Sequence, residues 1–372
     1  MVVMQEFREV VADPSAYARR WKERTGGKVV GTLCSYTPEE LIVAGDALPL
    51  RIVGGGGGIS KADAHLQAYS CSLVRGALED ALTGRLDFLD GLVFPHTCDS
   101  IQRLSDVWRM NAATGFHLDV VLPVKLDTPS AQSYIAAVIG KSRTELAAML
   151  GRTIAEDDLR QAIATFNGIR SAMQRLYGLR TKRPESIPGS DVHTIARASM
   201  VMDRGDFLDR ITRLLDHLDR RPPVQASDAK RIFLSGGLCN LPDVYDVIAS
   251  AGGVVVGDDL CTGERGLTGA IDAGGDPVAA IAARYARRAV CPAKHAGIST
   301  RGDALVRRAD EVRAAGVIFL FLKFCDPHAF DYPYLKSMLD DHGIPSLLVA
   351  LDDQITSGEQ FRTRCEAFIE ML

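Results

Sequence analysis

The chain has 372 residues, 47% of them hydrophobic and 24% charged, with a formal net charge of −4. These values describe an ordinary globular protein with room for two domains. Acids and bases interleave and no long basic tract occurs, which argues against a nucleic-acid-binding surface.

Residues 1–28 are charged and helical in pattern, with no apolar core of signal-peptide length. The longest apolar run, 317–322, is far too short to span a bilayer. A cytoplasmic protein with no membrane contact is expected. The eight cysteines are Cys34, Cys71, Cys98, Cys239, Cys261, Cys291, Cys325 and Cys365. In a reducing cytosol disulfides are not expected, so ligation, catalysis or burial must account for them.

Three regions follow in chain order. In residues 1–128, short apolar runs at 28–33, 49–53, 91–94 and 118–123 read as buried strands. Helical patterns at 62–82 and 101–111 alternate with them, which predicts a parallel α/β sheet. Residues 129–222 show almost no strand signal and three helical patterns, at 130–150, 157–177 and 205–219. Pro184 and Pro188 interrupt that region, and Arg221-Pro222-Pro223 closes it. Residues 223–372 return to α/β. Strands are expected at 231–235, 253–256, 316–322 and 346–351. Helices are expected from Pro242, through Ala270, around 277–288, from Tyr332 and over 358–372. The fold class is therefore α/β, with two doubly wound parallel-sheet domains joined by a helical segment.

The cysteines fall where such sheets bind ligands. Cys98 lies four residues past the strand 91–94, and Cys325 stands similarly after 316–322. Cys34 ends the first strand, Cys239 follows 231–235, and Cys261 lies beyond 253–256. Ligands of open α/β sheets bind outside the strand carboxyl ends, and core packing explains five such thiols poorly. Cys71, read as lying near the middle of a helical stretch, is placed to project into the same cleft. No CxxC occurs, so spacing alone identifies neither a ferredoxin nor a zinc-finger site.

Other features have plainer readings. Glycines 54–58 precede Ile59-Ser60-Lys61 but lack the GxxxxGK[ST] order, so they read as a strand-to-helix loop. Asp258-Asp259 read as caps for the following helix. His96 and His328 flank cysteines and are candidate proton donors; local hydrogen bonding is the alternative.

The stretch Leu82-Thr83-Gly84-Arg85-Leu86-Asp87-Phe88-Leu89-Asp90-Gly91, continued by Phe94-Pro95-His96-Thr97-Cys98-Asp99, resembles the 2-hydroxyacyl-CoA dehydratase / class I benzoyl-CoA reductase family. So do Lys323-Phe324-Cys325-Asp326-Pro327-His328, Asp331-Tyr332-Pro333 and Arg362-Thr363-Arg364. The resemblance implies two flavodoxin-like domains with an iron–sulfur cluster in the cleft. It implies a 4Fe–4S cluster on Cys71, Cys98 and Cys325, with one iron left open. It also implies a related second subunit, a separate ATP-hydrolysing iron–sulfur activator, and an acyl-CoA substrate that receives one low-potential electron. A dry cleft with few cationic neighbours would hold the cluster potential low.

Reductive dearomatisation and elimination of water from a 2-hydroxyacyl-CoA both remain open. So does a homodimeric double-cubane (8Fe) reductase of the same superfamily, with Cys34, Cys261 and Cys291 as added ligands and Cys239 as a further candidate. A non-catalytic electron-relay role is another reading. Cys365 reads as a buried thiol in the last helix.

Overall fold

Apolar runs too short to form helices pair into two parallel sheets. The computed structural model describes residues 2–54, 58–112, 115–222, 228–239, 243–272, 274–288, 291–297, 299–351 and 358–372. The first sheet holds β1 (Val29–Thr32), β2 (Leu48–Arg51), β3 (Gly91–Pro95) and β4 (Phe116–Val120), in the order β2-β1-β3-β4. The second holds β5 (Lys230–Gly236), β6 (Gly253–Asp259), β7 (Gly316–Leu322) and β8 (Ser346–Leu351), in the order β6-β5-β7-β8. All pairings are parallel. Both orders match the flavodoxin-type winding, which reverses between its first and third strands.

Parallel strands covered on both faces read as unbroken apolar runs, and β1, β3 and nearly all of β7 are buried along their length. Alternate residues enter opposite cores. Val29, Leu92 and Phe94 join one cluster, while Val30, Val93 and Leu118 join the other. In the second sheet Ile232, Leu234 and Ile318 face one side, and Phe233, Val317 and Phe319 the other. Each such fully buried side chain contributes about 1.5–3 kcal/mol.

The helical segment packs on the first sheet. Helix Pro129–Leu150 buries Ile135, Ile139 and Leu146 in one core cluster, and helix Arg204–Asp219 buries Phe207, Ile211 and Leu214 in the other. Thr128 caps the former, its Oγ1 accepting from the Ala131 N–H, and Gly151 ends it at φ 74°. Helix Pro277–Arg287, late in the chain, crosses back: Ile281, Ala282 and Tyr285 join a core of the first sheet.

Several expectations need correction. Residues 62–82 do not form one helix: a single 3₁₀ turn, Ala62–Ala64, is followed by a bend and then helix Ser72–Leu82. The small polar run Ser70-Cys71-Ser72 favours a cap over a helix interior. Cys71 is therefore an N-cap rather than a mid-helix residue. The helix expected through Ala270 covers only Glu264–Leu267, with Gly269 beyond it at φ 76°. The helix expected from Tyr332 begins at Asp326, where Asp326-Pro327 suits the first turn. β4 lies two residues earlier than expected at its start. Of the glycine run, 55–57 lie outside the described residues, as do Pro223 and Pro242. Among the described residues no helix is long and apolar enough to cross a membrane.

Candidate metal centre

Strands on either side of each switch point run into cysteine loops. Cys34 follows β1 in left-handed backbone, φ 54°, a conformation that suggests an imposed position. Cys98 follows β3 and is the N-cap of helix Asp99–Asn111. Cys325 follows β7 and is the N-cap of helix Asp326–Asp341, with Phe324 before it at φ 64°. With Cys71 capping Ser72–Leu82, three of the expected ligands sit at helix N-termini. There, free backbone N–H groups and the helix dipole favour a negative sulfur. The Ile101 N–H reaches the Cys98 sulfur, and the His328 N–H reaches that of Cys325.

The thiols sense one another. Burial, opposed by the Ile101 N–H and reinforced by the neighbouring Cys34 and Cys71, pushes Cys98 up to about 12. Cys325 is raised by burial first, then by Cys71, Cys98 and Cys261. Burial, then Cys34 and Cys261, likewise lift Cys291 to about 12. Cys261 is raised by burial, opposed by Arg265 and reinforced by Cys34. Two groups emerge, Cys71/Cys98/Cys325 and Cys34/Cys261/Cys291, linked through Cys34–Cys98 and Cys261–Cys325. Cys98 and Cys325 also pack on the apolar cluster that contains Cys71. Cys239 and Cys365 lie elsewhere, in a core of the second sheet.

Among the described residues no three Cys, His, Asp or Glu side chains could hold a single metal ion. Thiols of raised pKa, gathered from both sheets, nevertheless form a donor set that suits an iron–sulfur cluster. Soft thiolates are its ligands, and metal binding displaces the protons that burial retains.

The two histidines differ. His328 is buried, with Nδ1 3.2 Å from the Cys325 sulfur, and its ring lies 5.1 Å from that of Phe321. Burial, then Arg301 and Arg265, depress its pKa well below the ordinary value, so the ring is neutral. His96 turns instead to Asp119, its Nε2 2.8 Å from Oδ1. Ser105 donates to the same oxygen at 2.5 Å, and His117 stacks on Phe94 beside it. Among the described residues no thiol contact of the His96 ring accompanies this network.

Cationic side chains lie close to the thiols. Arg265 places Nη1 3.2 Å from the Cys261 sulfur, while Nε meets Asp259 at 2.7 Å and Nη2 donates to the Gly236 carbonyl at 2.7 Å. Arg301 bridges Asp259 at 3.2 Å and Asp331 at 2.5 Å. Lys294, 2% exposed, donates to the carbonyls of Leu122 at 2.7 Å and His96 at 3.2 Å. Burial lowers its pKa, and Cys291, Cys34 and Cys98 oppose that shift. Sequence reasoning missed Arg265, Arg301 and Lys294, and read Asp259 as a cap rather than an anchor for two arginines. Only the nearness in the chain of Arg265 to Cys261, and of Lys294 to Cys291, hinted at them.

Asp258 does cap, accepting from the N–H groups of Glu264 at 2.8 Å and Leu260 at 3.3 Å. A register shift of β5 against β6 at Ile232/Phe233 sets Gly257 opposite Phe233 and precedes the Asp258-Asp259 pair. Asp258 pairs with Arg180 at 2.8 Å, and both side chains are almost wholly buried. A cavity of about 460 Å³ opens beside the thiols, lined by Cys98, Cys291, Asp326, Phe330, Asp331 and Tyr334.

Against known proteins, residues 34–372 match the family model described as 2-hydroxyglutaryl-CoA dehydratase, D-component. The chain is 27% identical to the (R)-phenyllactyl-CoA dehydratase beta subunit of Clostridium sporogenes, over 99% of this chain and 98% of that one. It is 30% identical to one of the benzoyl-CoA reductase subunits of Thauera aromatica, over 95% and 94%. The lactoyl-CoA dehydratase beta subunit of Anaerotignum propionicum is 26% identical, over 100% and 98%. Matching a two-sheet fold with thiols gathered at its switch points to these near-full-length likenesses places the chain in the 2-hydroxyglutaryl-CoA dehydratase D-component family.

Proposed function

We propose that this chain is the cluster-bearing subunit of a multi-subunit dehydratase or reductase acting on an acyl-CoA thioester. One observation carries the reading: six thiols from both halves of the chain are electrostatic neighbours, Cys71 and Cys98 with Cys325, and Cys34 with Cys98, Cys261 and Cys291. The relatives' names supply the substrate class, since each belongs to an enzyme named for a CoA thioester.

Cys71, Cys98 and Cys325 would hold a 4Fe–4S cluster, which when bound supplies a low-potential electron to the thioester. The protein's own part is positioning. Helix N-termini stabilise the thiolate charge at the three caps, and neutral His328 orients the Cys325 sulfur without adding a positive charge. Lys294 ties the His96 loop to Leu122, fixing the approach to Cys98. Phe330 and Tyr334, 79% and 58% exposed, give the 460 Å³ cavity an apolar rim that suits an acyl group. A separate ATP-hydrolysing activator delivers the electron, and a second, related polypeptide completes the enzyme.

A second reading rests on Cys34, Cys261 and Cys291. Their mutual proximity and their links to the first set favour a double cubane over three unrelated buried thiols. Iron and sulfide quantification on anaerobically purified protein, with electron paramagnetic resonance, separates the two. About four irons per chain supports the single cluster and about eight the double cubane. Cys98→Ala and Cys325→Ala should each lose the cluster; full iron retention in both rejects the ligand set.

A further inference from the structure

Arg265, which reaches the Cys261 sulfur, also lines a second cavity, of about 370 Å³, within the size range of small-molecule sites. Its walls come from helix Pro277–Arg287 with the residue after it, from helix Thr300–Glu311, and from the loop past β6. Seven arginines line it: Arg265, Arg284, Arg287, Arg288, Arg301, Arg307 and Arg308. They face three carboxylates, Asp258, Asp259 and Glu264.

Each carboxylate is already matched. Asp258 has Arg180 at 2.8 Å, Asp259 has Arg265 at 2.7 Å and Arg301 at 3.2 Å, and Glu264 has Arg308 at 2.5 Å. Arg307 only approaches Glu311, at 3.9 Å. Among the described residues Arg284, Arg287 and Arg288 have no carboxylate within ion-pairing distance. Arg284 is 3% exposed and donates to the carbonyls of Gly269 and Thr268, at 2.7 and 2.8 Å. Burial, followed by the guanidinium groups of Arg288 and Arg170, pushes Arg284 down to about 9. A helix C-terminus carries only about half a negative charge and cannot balance three cations. Buried or crowded cations without a counter-charge are costly, and a bound anion relieves that cost.

We infer that this arginine-walled cavity binds the diphosphate or polyphosphate group of a ligand. Guanidinium forks match phosphate oxygens in paired hydrogen bonds, and the arginines left without a carboxylate around this opening suit more than one phosphate. Arg265 both lines this cavity and donates to the Cys261 sulfur, so a bound phosphate lies one side chain from the thiols.

The test is calorimetric titration of the full chain, anaerobic, with inorganic pyrophosphate, coenzyme A, ATP and adenosine. Pyrophosphate, coenzyme A and ATP should bind and adenosine should not. Coenzyme A binding more tightly than ATP identifies the thioester carrier as the source of the phosphates, and the reverse identifies a free nucleotide. Arg287→Ala should weaken pyrophosphate binding about tenfold, the loss of one charge-assisted contact. Adding Arg307→Ala should weaken it further; both side chains are exposed, so the variants should fold. The inference is overturned if pyrophosphate does not bind, if adenosine binds as well as ATP, or if neither variant weakens binding. Titrations with and without reconstituted iron keep this result separate from the cluster assignment, because phosphate binding here requires no metal.

Discussion

Replacing Arg180 with methionine should destabilise the protein and loosen the loop that carries Cys261. The Arg180 and Asp258 side chains are 1% and 2% exposed, with a 2.8 Å contact between them. Removing one partner of such a pair leaves the other charge buried, at about 3–5 kcal/mol. The guanidinium also lies 4.7 Å from the Tyr177 ring centroid, a contact that adds up to about 1–2 kcal/mol when desolvated. Against a total stability of about 5–15 kcal/mol, the loss is large. Methionine keeps most of the apolar volume, so a cavity is not the cause. Because Asp258 holds the N–H groups of Leu260 and Glu264, its displacement reaches Cys261 directly. Urea unfolding of Arg180→Met, Asp258→Asn and the double variant measures the coupling. The double variant should lose at least about 2 kcal/mol less than the sum of the singles. Losses that add to within about 0.5 kcal/mol would refute the reasoning.

Further expectations concern other sites. Burial, with Arg197 adding, lowers His193 from 6.5 to about 4. The folded chain therefore disfavours that proton, so stability is full above the unfolded value of 6.5 and falls as pH drops through the folded value of about 4. The loss is about 3 kcal/mol at 1.36 kcal/mol per unit. His193→Gln should flatten the fall in urea midpoint over that window; an unchanged slope would exclude the assignment. Gly236→Ala should destabilise by about 3 kcal/mol, because a Cβ there would lie 2.0 Å from the Leu320 carbonyl oxygen at the β5–β7 switch point. A thermal midpoint equal to that of the unmodified protein would contradict it. Glu39→Gln should cost about 3 kcal/mol at neutral pH: despite burial, Arg204 and Arg51 hold this carboxyl down at about 2. Retention of the urea midpoint would show that the pair carries no such weight.

Much of the candidate site was legible from strand-end positions alone. The run 316–322 is apolar throughout because β7 is covered on both faces, so its carboxyl end, and Cys325 beyond it, could be located. Cys98 followed from β3 in the same way. Cys71 was placed in the right neighbourhood but in the wrong structural role. Apolar periodicity alone cannot distinguish a helix interior from a turn followed by a cap when the intervening residues are small and polar. His96 looked equivalent to His328 in sequence, each beside a cysteine. Only the pairing of β3 with β4, which sets Phe94 opposite Asp119, shows why its ring turns away.

The sequence by itself determined most of the elements: which runs form buried strands, where most of the long helices lie, and which strand ends carry thiols. Those follow from local periodicity and turn chemistry, which act over a few residues. Tertiary structure decided everything that depends on long-range approach. It paired Arg180 with Asp258, put Arg265 against Cys261, and folded helix Pro277–Arg287 back onto the first sheet. It also set six of the eight thiols beside one another and left Cys239 and Cys365 apart, in a core of the second sheet. The physical reason is range. Backbone preferences are set by neighbours in the chain, whereas charge and burial are set by neighbours in space.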